Sequence, residues 1–196
     1  MEESFINKNK VIVIDPKKNL TTCAESVKRD FAKYLKKDEI NFLINQIQNS
    51  EHRMLCIFLW MSGVRITEAI TFKKKDIDFE NELMTAKWLK SKKYKKRVVP
   101  LHHNLLQMLR IYTASKNLDD LIFPISRQRA FQITKKYMNI SPHQLRHSFA
   151  VNWLICGCDI VTLHRILGHT NIKTTMEYLK IVPTDQKHEL EKVSFN

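Results

Sequence analysis

Only three glycines punctuate the 196 residues, at positions 63, 157 and 168, and each follows an apolar run of helical period. Glycine reaches the left-handed conformation that ends helices without steric cost, so each is placed as a helix stop. With only five prolines besides, this chain has few means of making the many tight turns that an all-β fold requires. Helices are expected near residues 38–47, with Asp38 as cap, and then at 51–62, from Ile66, at 102–115 and at 127–138. Ser141-Pro142-His143-Gln144 carries a capping serine, proline at the first helical position and glutamine to close a capping box. That helix runs to about Cys156, Asp159 caps the next, and a last helix covers 174–179.

One stretch breaks the helical period. Ile77 and Phe79, then residues 83–88, then 97–99 alternate as three short strands, with Glu80-Asn81 turning the first pair. The second turn, residues 90–96, holds five lysines and a tyrosine. The fold class is therefore α+β, mostly helical, with a small three-stranded antiparallel sheet. Residues 1–35 read as an N-terminal extension, with a short strand at 10–15 and a basic segment. Residues 36–182 read as the main domain and 183–196 as a tail, in which Leu190 and Val193 share one face of a possible helix.

Charge narrows the partner. Lysine and arginine total 33 against 20 acidic residues, a formal net charge of +13 and a pI near 9.6. A surplus of that size points to nucleic acid. Residues 1–10 lack the apolar core of a secretory signal, and the longest apolar run, 54–61, is far short of the roughly 20 residues that span a bilayer. None of the four cysteines forms a CxxC pair. The expectation is a reduced, cytoplasmic protein with no membrane segment and no metal.

Three clusters carry chemistry. Arg65 lies just past the Gly63 stop in SGVRITEA; His143 and Arg146 lie three apart in HQLRH; His169 follows the Gly168 stop with Tyr178 nine residues on. Singly, each has a plainer reading as a solvated arginine, a surface pair or a core tyrosine. Jointly they form a reagent set for phosphodiester chemistry. Two arginines can grip non-bridging oxygens, a histidine can take a phenolic proton, and a tyrosine can hold phosphate covalently. A zinc site on His143, His147, Cys156 and Cys158 is a weak competitor, because the two thiols straddle a helix stop. His147 reads as a helix-packing residue. A helix-turn-helix regulator would suit the charge but has no use for the three clusters.

These boxes, GVRITE, KSKKYKKRVVPL, HQLRH and LGHTNIKTTMEY, resemble those of the tyrosine site-specific recombinases, the family of phage integrases, Cre and the Xer proteins. The resemblance covers about residues 36–182 and implies the catalytic-domain fold of that family. It implies Tyr178 as nucleophile, Arg65 and Arg146 as phosphate clamps, His143 as base and His169 as donor to a non-bridging oxygen. Glu68 would hold Arg65 or a neighbouring donor in position, and Lys92 would be the general acid, with Lys90, Lys93 and Lys95 touching DNA. The implied activity is cleavage and rejoining of double-stranded DNA through a 3′-phosphotyrosyl intermediate, without cofactor. A type IB topoisomerase shares that chemistry. The implied assembly is a monomer when free and a homotetramer on two paired sites, its tail exchanged between protomers.

Overall fold

The computed structural model describes residues 34–90 and 93–182. The strand expected at 10–15, Lys92 and the tail helix lie outside the described residues. Eight helices are described: α1 Lys37–Asn45, α2 Ser50–Ser62, α3 Ile66–Ala69, α4 His103–Tyr112, α5 Arg127–Met138, α6 Pro142–Ile155, α7 Ile160–Leu167 and α8 Ile172–Met176. Between α3 and α4 stand β1 Ile77–Asp78, β2 Leu83–Lys90 and β3 Lys93–Pro100, paired antiparallel in the order β1-β2-β3.

Helix α2 is the central element. Its Leu55, Phe58 and Leu59 are fully buried, and it packs against α1, α4, α5 and α6. A second cluster lies along α6, where Ala150, Val151 and Leu154 meet Leu163 and Leu167 of α7 and the ring of Tyr178. The segment before α1 is pinned to α6. Leu35 N–H donates to Ser148 Oγ (2.9 Å), and Asn152 Oδ1 accepts from Lys37 N–H (3.0 Å). Cys56 packs within the main core, and burial pushes its thiol up to about 12.

Four local expectations need correction. Helix α1 is capped at Lys36, whose N–H donates to Glu39 Oε2 (2.8 Å), and Asp38 sits in the first turn instead. Strand β1 stops at Asp78 rather than reaching Phe79, because the Asp78 carboxylate accepts the N–H groups of Glu80 and Asn81 and starts a turn. The β2–β3 ladder continues to Lys90↔Lys93, well into the stretch expected as a turn. A lysine does not interrupt backbone pairing when its ammonium projects into water, as Lys95 and Lys96 do. The last helix begins earlier than expected and ends in a 3-10 turn, Glu177–Lys180, which carries Tyr178.

Candidate active site

Two helices end at the site on glycines with positive φ, Gly63 closing α2 (φ 60°) and Gly168 closing α7 (φ 62°). A helix C-terminus leaves its last carbonyls without intrahelical partners and concentrates partial negative charge. Here arginines take those carbonyls. Arg146, from α6, donates Nη1–H to Gly63 O (2.7 Å) and Nη2–H to Leu167 O (2.6 Å). Arg97, on β3, donates Nε–H to Ile166 O (2.9 Å), and Arg65 donates Nη2–H to Gly168 O (3.3 Å). Three successive carbonyls at the end of α7 thus hold three arginines from distant parts of the chain.

Neither glycine has room for a side chain. A Cβ at Gly63 would stand 2.3 Å from Phe149 Cδ1, and one at Gly168 would stand 2.8 Å from Arg97 Cδ. Gly168→Ala is expected to cost about 1–3 kcal/mol, the usual penalty of a non-glycine residue held in this conformation, with displacement of Arg97 besides. Thermal unfolding measures it; an unchanged Tm would mean that the α7 end and Arg97 do not depend on one another.

Glu68 is the anion among these cations. It is 1% exposed and accepts from Arg97 Nη1 (2.5 Å) and Nη2 (2.8 Å), from Arg65 N–H (2.8 Å) and from Arg65 Nη1 (3.2 Å). Burial alone would raise its pKa, but hydrogen bonds and charge from Arg97, then Arg65, hold it below the usual carboxylate value. Arg146 is 3% exposed; burial first, then Arg65, lowers its guanidinium to about 9, still charged at neutral pH. The Arg65 side chain is more open, at 36% exposure.

Tyr178 is 3% exposed, and its hydroxyl lies 2.8 Å from Nδ1 of His147. Burial raises the phenol's pKa, with Arg146 and then Arg65 pulling the other way, so the hydroxyl is protonated at neutral pH. Burial, then His143 and Arg146, lowers His147 to about 4. The tyrosine therefore donates to a neutral imidazole. His143, expected at the hydroxyl, stands one ring further away, edge-on to His147 with centroids 4.2 Å apart. The reason is geometric: His147 lies one helical turn beyond His143 on α6, nearer the turn that carries Tyr178. His169 stacks at 6.5 Å from the Tyr178 ring, its Nε2 3.2 Å from Arg146 Nη2.

The structure thus gathers Arg65, Glu68, His143, Arg146, His169 and Tyr178 in one cluster. Lys95 is exposed on β3. Lys90 and Lys93 pair as backbone neighbours at the tip of the hairpin. Two members were missed from the sequence. His147 reads in the sequence as packing, although its i+4 relation to His143 signals a shared face. Arg97 lies in no catalytic cluster of the sequence, but strand parity marks it: Val99 is fully buried and Val98 is 57% exposed, so Arg97 must point inward. An inward arginine needs a buried acid, and opposite it Ala86 is small enough to leave room. Among the described residues, no group of three or more His, Cys, Asp or Glu side chains is arranged to hold a metal ion, and no helix is long and apolar enough to cross a membrane.

The model of the phage integrase family matches residues 33–184. The chain belongs to that family. Among its curated relatives, the tyrosine recombinase XerA of Thermococcus onnurineus is 32% identical over 183 residues, covering 85% of this chain and 64% of that protein. XerA of Pyrococcus horikoshii is 27% identical over 181 residues, covering 85% and 63%. The chain therefore spans a little under two thirds of the length of these relatives. Among solved structures, the catalytic domain of bacteriophage HP1 integrase superposes with a TM-score of 0.62 at 25% identity, covering 81% of this chain and 94% of that one. A XerA recombinase crystal structure shares the fold with a TM-score of 0.69 at 21% identity over 88% and 68% of the two chains. So does the Tn1549 transposon integrase in complex with circular intermediate DNA, with a TM-score of 0.67 at 18% identity over 85% and 69%. The fold is that of the family's catalytic domains, mostly helical with a three-stranded antiparallel sheet.

Proposed function

We propose that this member of the phage integrase family is a site-specific recombinase, cutting and rejoining double-stranded DNA with Tyr178 as nucleophile and residues 36–182 as its catalytic domain. The observation that carries the reading is the buried Tyr178 hydroxyl, bonded to a neutral histidine and set beside Arg146. A phenol of pKa about 10 is only about 0.1% ionised at neutral pH, so a nucleophilic tyrosine needs a proton acceptor within reach. His147 Nδ1 is that acceptor in this arrangement, and His143 is next in line.

In the proposed step the phenolic proton passes to His147 as Oη attacks the phosphorus. The bond to the 5′ oxygen breaks, and that oxygen takes a proton from Lys92 to leave as a hydroxyl. Arg65 and Arg146 neutralise charge on the non-bridging oxygens, His169 donates to one of them, and Glu68 holds Arg65 in place. The phosphotyrosyl bond keeps the energy of the bond broken, so a 5′-hydroxyl from another strand reverses the step without nucleotide or metal. Lys90, Lys93 and Lys95 meet backbone phosphates. Two paired sites on four protomers, with tails exchanged, complete the assembly from free monomers, in the cytoplasm with its DNA.

A nicked duplex library with randomised sequence tests this reading. After incubation, boiling in SDS and capture of the protein, covalently attached DNA is expected, enriched for one sequence and insensitive to EDTA. Adducts without sequence enrichment would favour topoisomerase-like chemistry. Enrichment by binding without adducts would reduce the protein to a DNA reader.

A further inference from the structure

Thr175 is fully buried in α8, and its single hydroxyl lies between two imidazoles: His169 Nδ1 at 2.9 Å and His164 Nδ1 at 3.1 Å. The other nitrogen of His169, Nε2, faces Arg146 Nη2 at 3.2 Å. A guanidinium can only donate, so Arg146 favours an accepting Nε2 on His169, and the bonds that follow reinforce that choice. With Nε2 accepting, the proton of the neutral ring sits on Nδ1 and is donated to Thr175 Oγ1. That oxygen has one hydrogen of its own, which is then directed to His164 Nδ1, leaving the His164 proton on Nε2. The order Arg146, His169, Thr175, His164 is a single directed chain in which each group has one consistent role.

We propose that Thr175 and His164 are positioning residues for His169, fixing which of its nitrogens carries the proton and allowing that choice to reverse when a phosphate occupies Arg146. The reversal rests on the reading above; the chain itself does not. With Arg146 turned to a phosphate oxygen, Nε2 is useful only as a donor. The balanced change takes one proton from water onto His169 Nε2 and passes the Nδ1 proton to Thr175. The Thr175 proton passes to His164 Nδ1, and the His164 Nε2 proton returns to water. From His169 to His164 only protons move, and His169 stays neutral throughout. Neutrality suits its surroundings. Arg146 and His147 face it from α6, Arg65 from the α2–α3 connection, His164 from α7 and Tyr178 from the 3-10 turn. Burial and these cations hold His169 at about 3.

Nitrogen-15 NMR of the free chain, labelled at histidine, reads the tautomer directly, with the His169 signal assigned from a His169→Gln variant. Near neutral pH, wild-type His169 is expected to carry its proton on Nδ1. Thr175→Ser should keep that state and Thr175→Val should lose the preference. His164→Phe, at a half-buried site that tolerates a ring, should move the population toward Nε2–H, because the Thr175 hydrogen then has His169 Nδ1 as its acceptor. If Thr175→Val does not fold, His164→Phe decides the matter. A wild-type ring protonated mainly on Nε2, or a ratio unmoved by His164→Phe, overturns the proposal. No DNA enters this measurement, so its failure is distinct from failure of the recombinase reading. On a duplex enriched from the library, Thr175→Val should slow adduct formation roughly five- to tenfold, the worth of one hydrogen bond, and Thr175→Ser should restore it. Equal rates for the two variants would overturn the reversal while leaving the chain.

Discussion

Tyr178→Phe is expected to abolish covalent capture of DNA while leaving the fold and DNA binding in place. The substitution removes one oxygen and keeps the ring, which packs among Ala150, Val151, Leu154, Leu163 and Leu167. The lost hydrogen bond to His147 is worth about 1 kcal/mol, a shift in Tm of about 2–4 °C in a protein of this size. Loss of the proposed nucleophile has no such partial measure: no adduct should survive SDS, and any that did would assign the chemistry to another residue. The acceptor is tested on the same duplex. Because His147 is held at about 4, adduct formation should be level across neutral pH and fall in acid as His147 becomes protonated and can no longer accept. His147→Phe should remove that acid limb. If His143→Phe removes it and His147→Phe does not, the phenolic proton leaves by way of His143.

Glu68→Ala is expected to destabilise the protein by about 3–5 kcal/mol, the scale of breaking a buried ion pair and leaving its partner uncompensated. Arg97 would lose both bonds to the carboxylate, and its side chain is only 8% exposed, so water cannot fully replace them. Arg97→Ala should cost somewhat less, since Arg65 still donates two bonds to the Glu68 carboxylate. The double change should cost much less than the sum of the two, and urea unfolding of the three variants gives the coupling. Additive losses would mean that the pair is not the unit described. The pH dependence has a definite sign. The Glu68 carboxyl is lowered in the folded state, so its contribution is present above the unfolded value and is lost as pH falls through the folded one.

The features legible in the sequence were those with short-range causes. The Ser141 cap needs only Gln144 three residues on, and Gly63 and Gly168 needed only the end of an apolar run to mark the helix stops. Tyr178, Arg65 and Arg146 stood out through fixed spacings, although their contacts span most of the chain. What escaped depends on neighbours far away in sequence. The lysines of the hairpin hid a ladder whose bonds belong to the backbone rather than to the side chains. The role of Arg97 required knowing that Glu68 lies across from its strand. Choosing between His143 and His147 required the position of the 3-10 turn, which tightens only after α8 has been laid down.

The end of α7 also sets an order of events during synthesis. Arg65 and Arg146 with Gly63, and Arg97 with Glu68, are all translated before Ile166, Leu167 and Gly168, whose carbonyls hold one arginine each. Until those three residues leave the ribosome, the earlier part of the chain holds the arginines without the carbonyls that end α7. The guanidinium cluster therefore acquires its last acceptors at nearly the same moment as the chain acquires Tyr178, ten residues later. A chain stopped before Ile166 lacks both the Tyr178 hydroxyl and the carbonyls that seat Arg65, Arg97 and Arg146, so the cluster and the hydroxyl beside it are completed together.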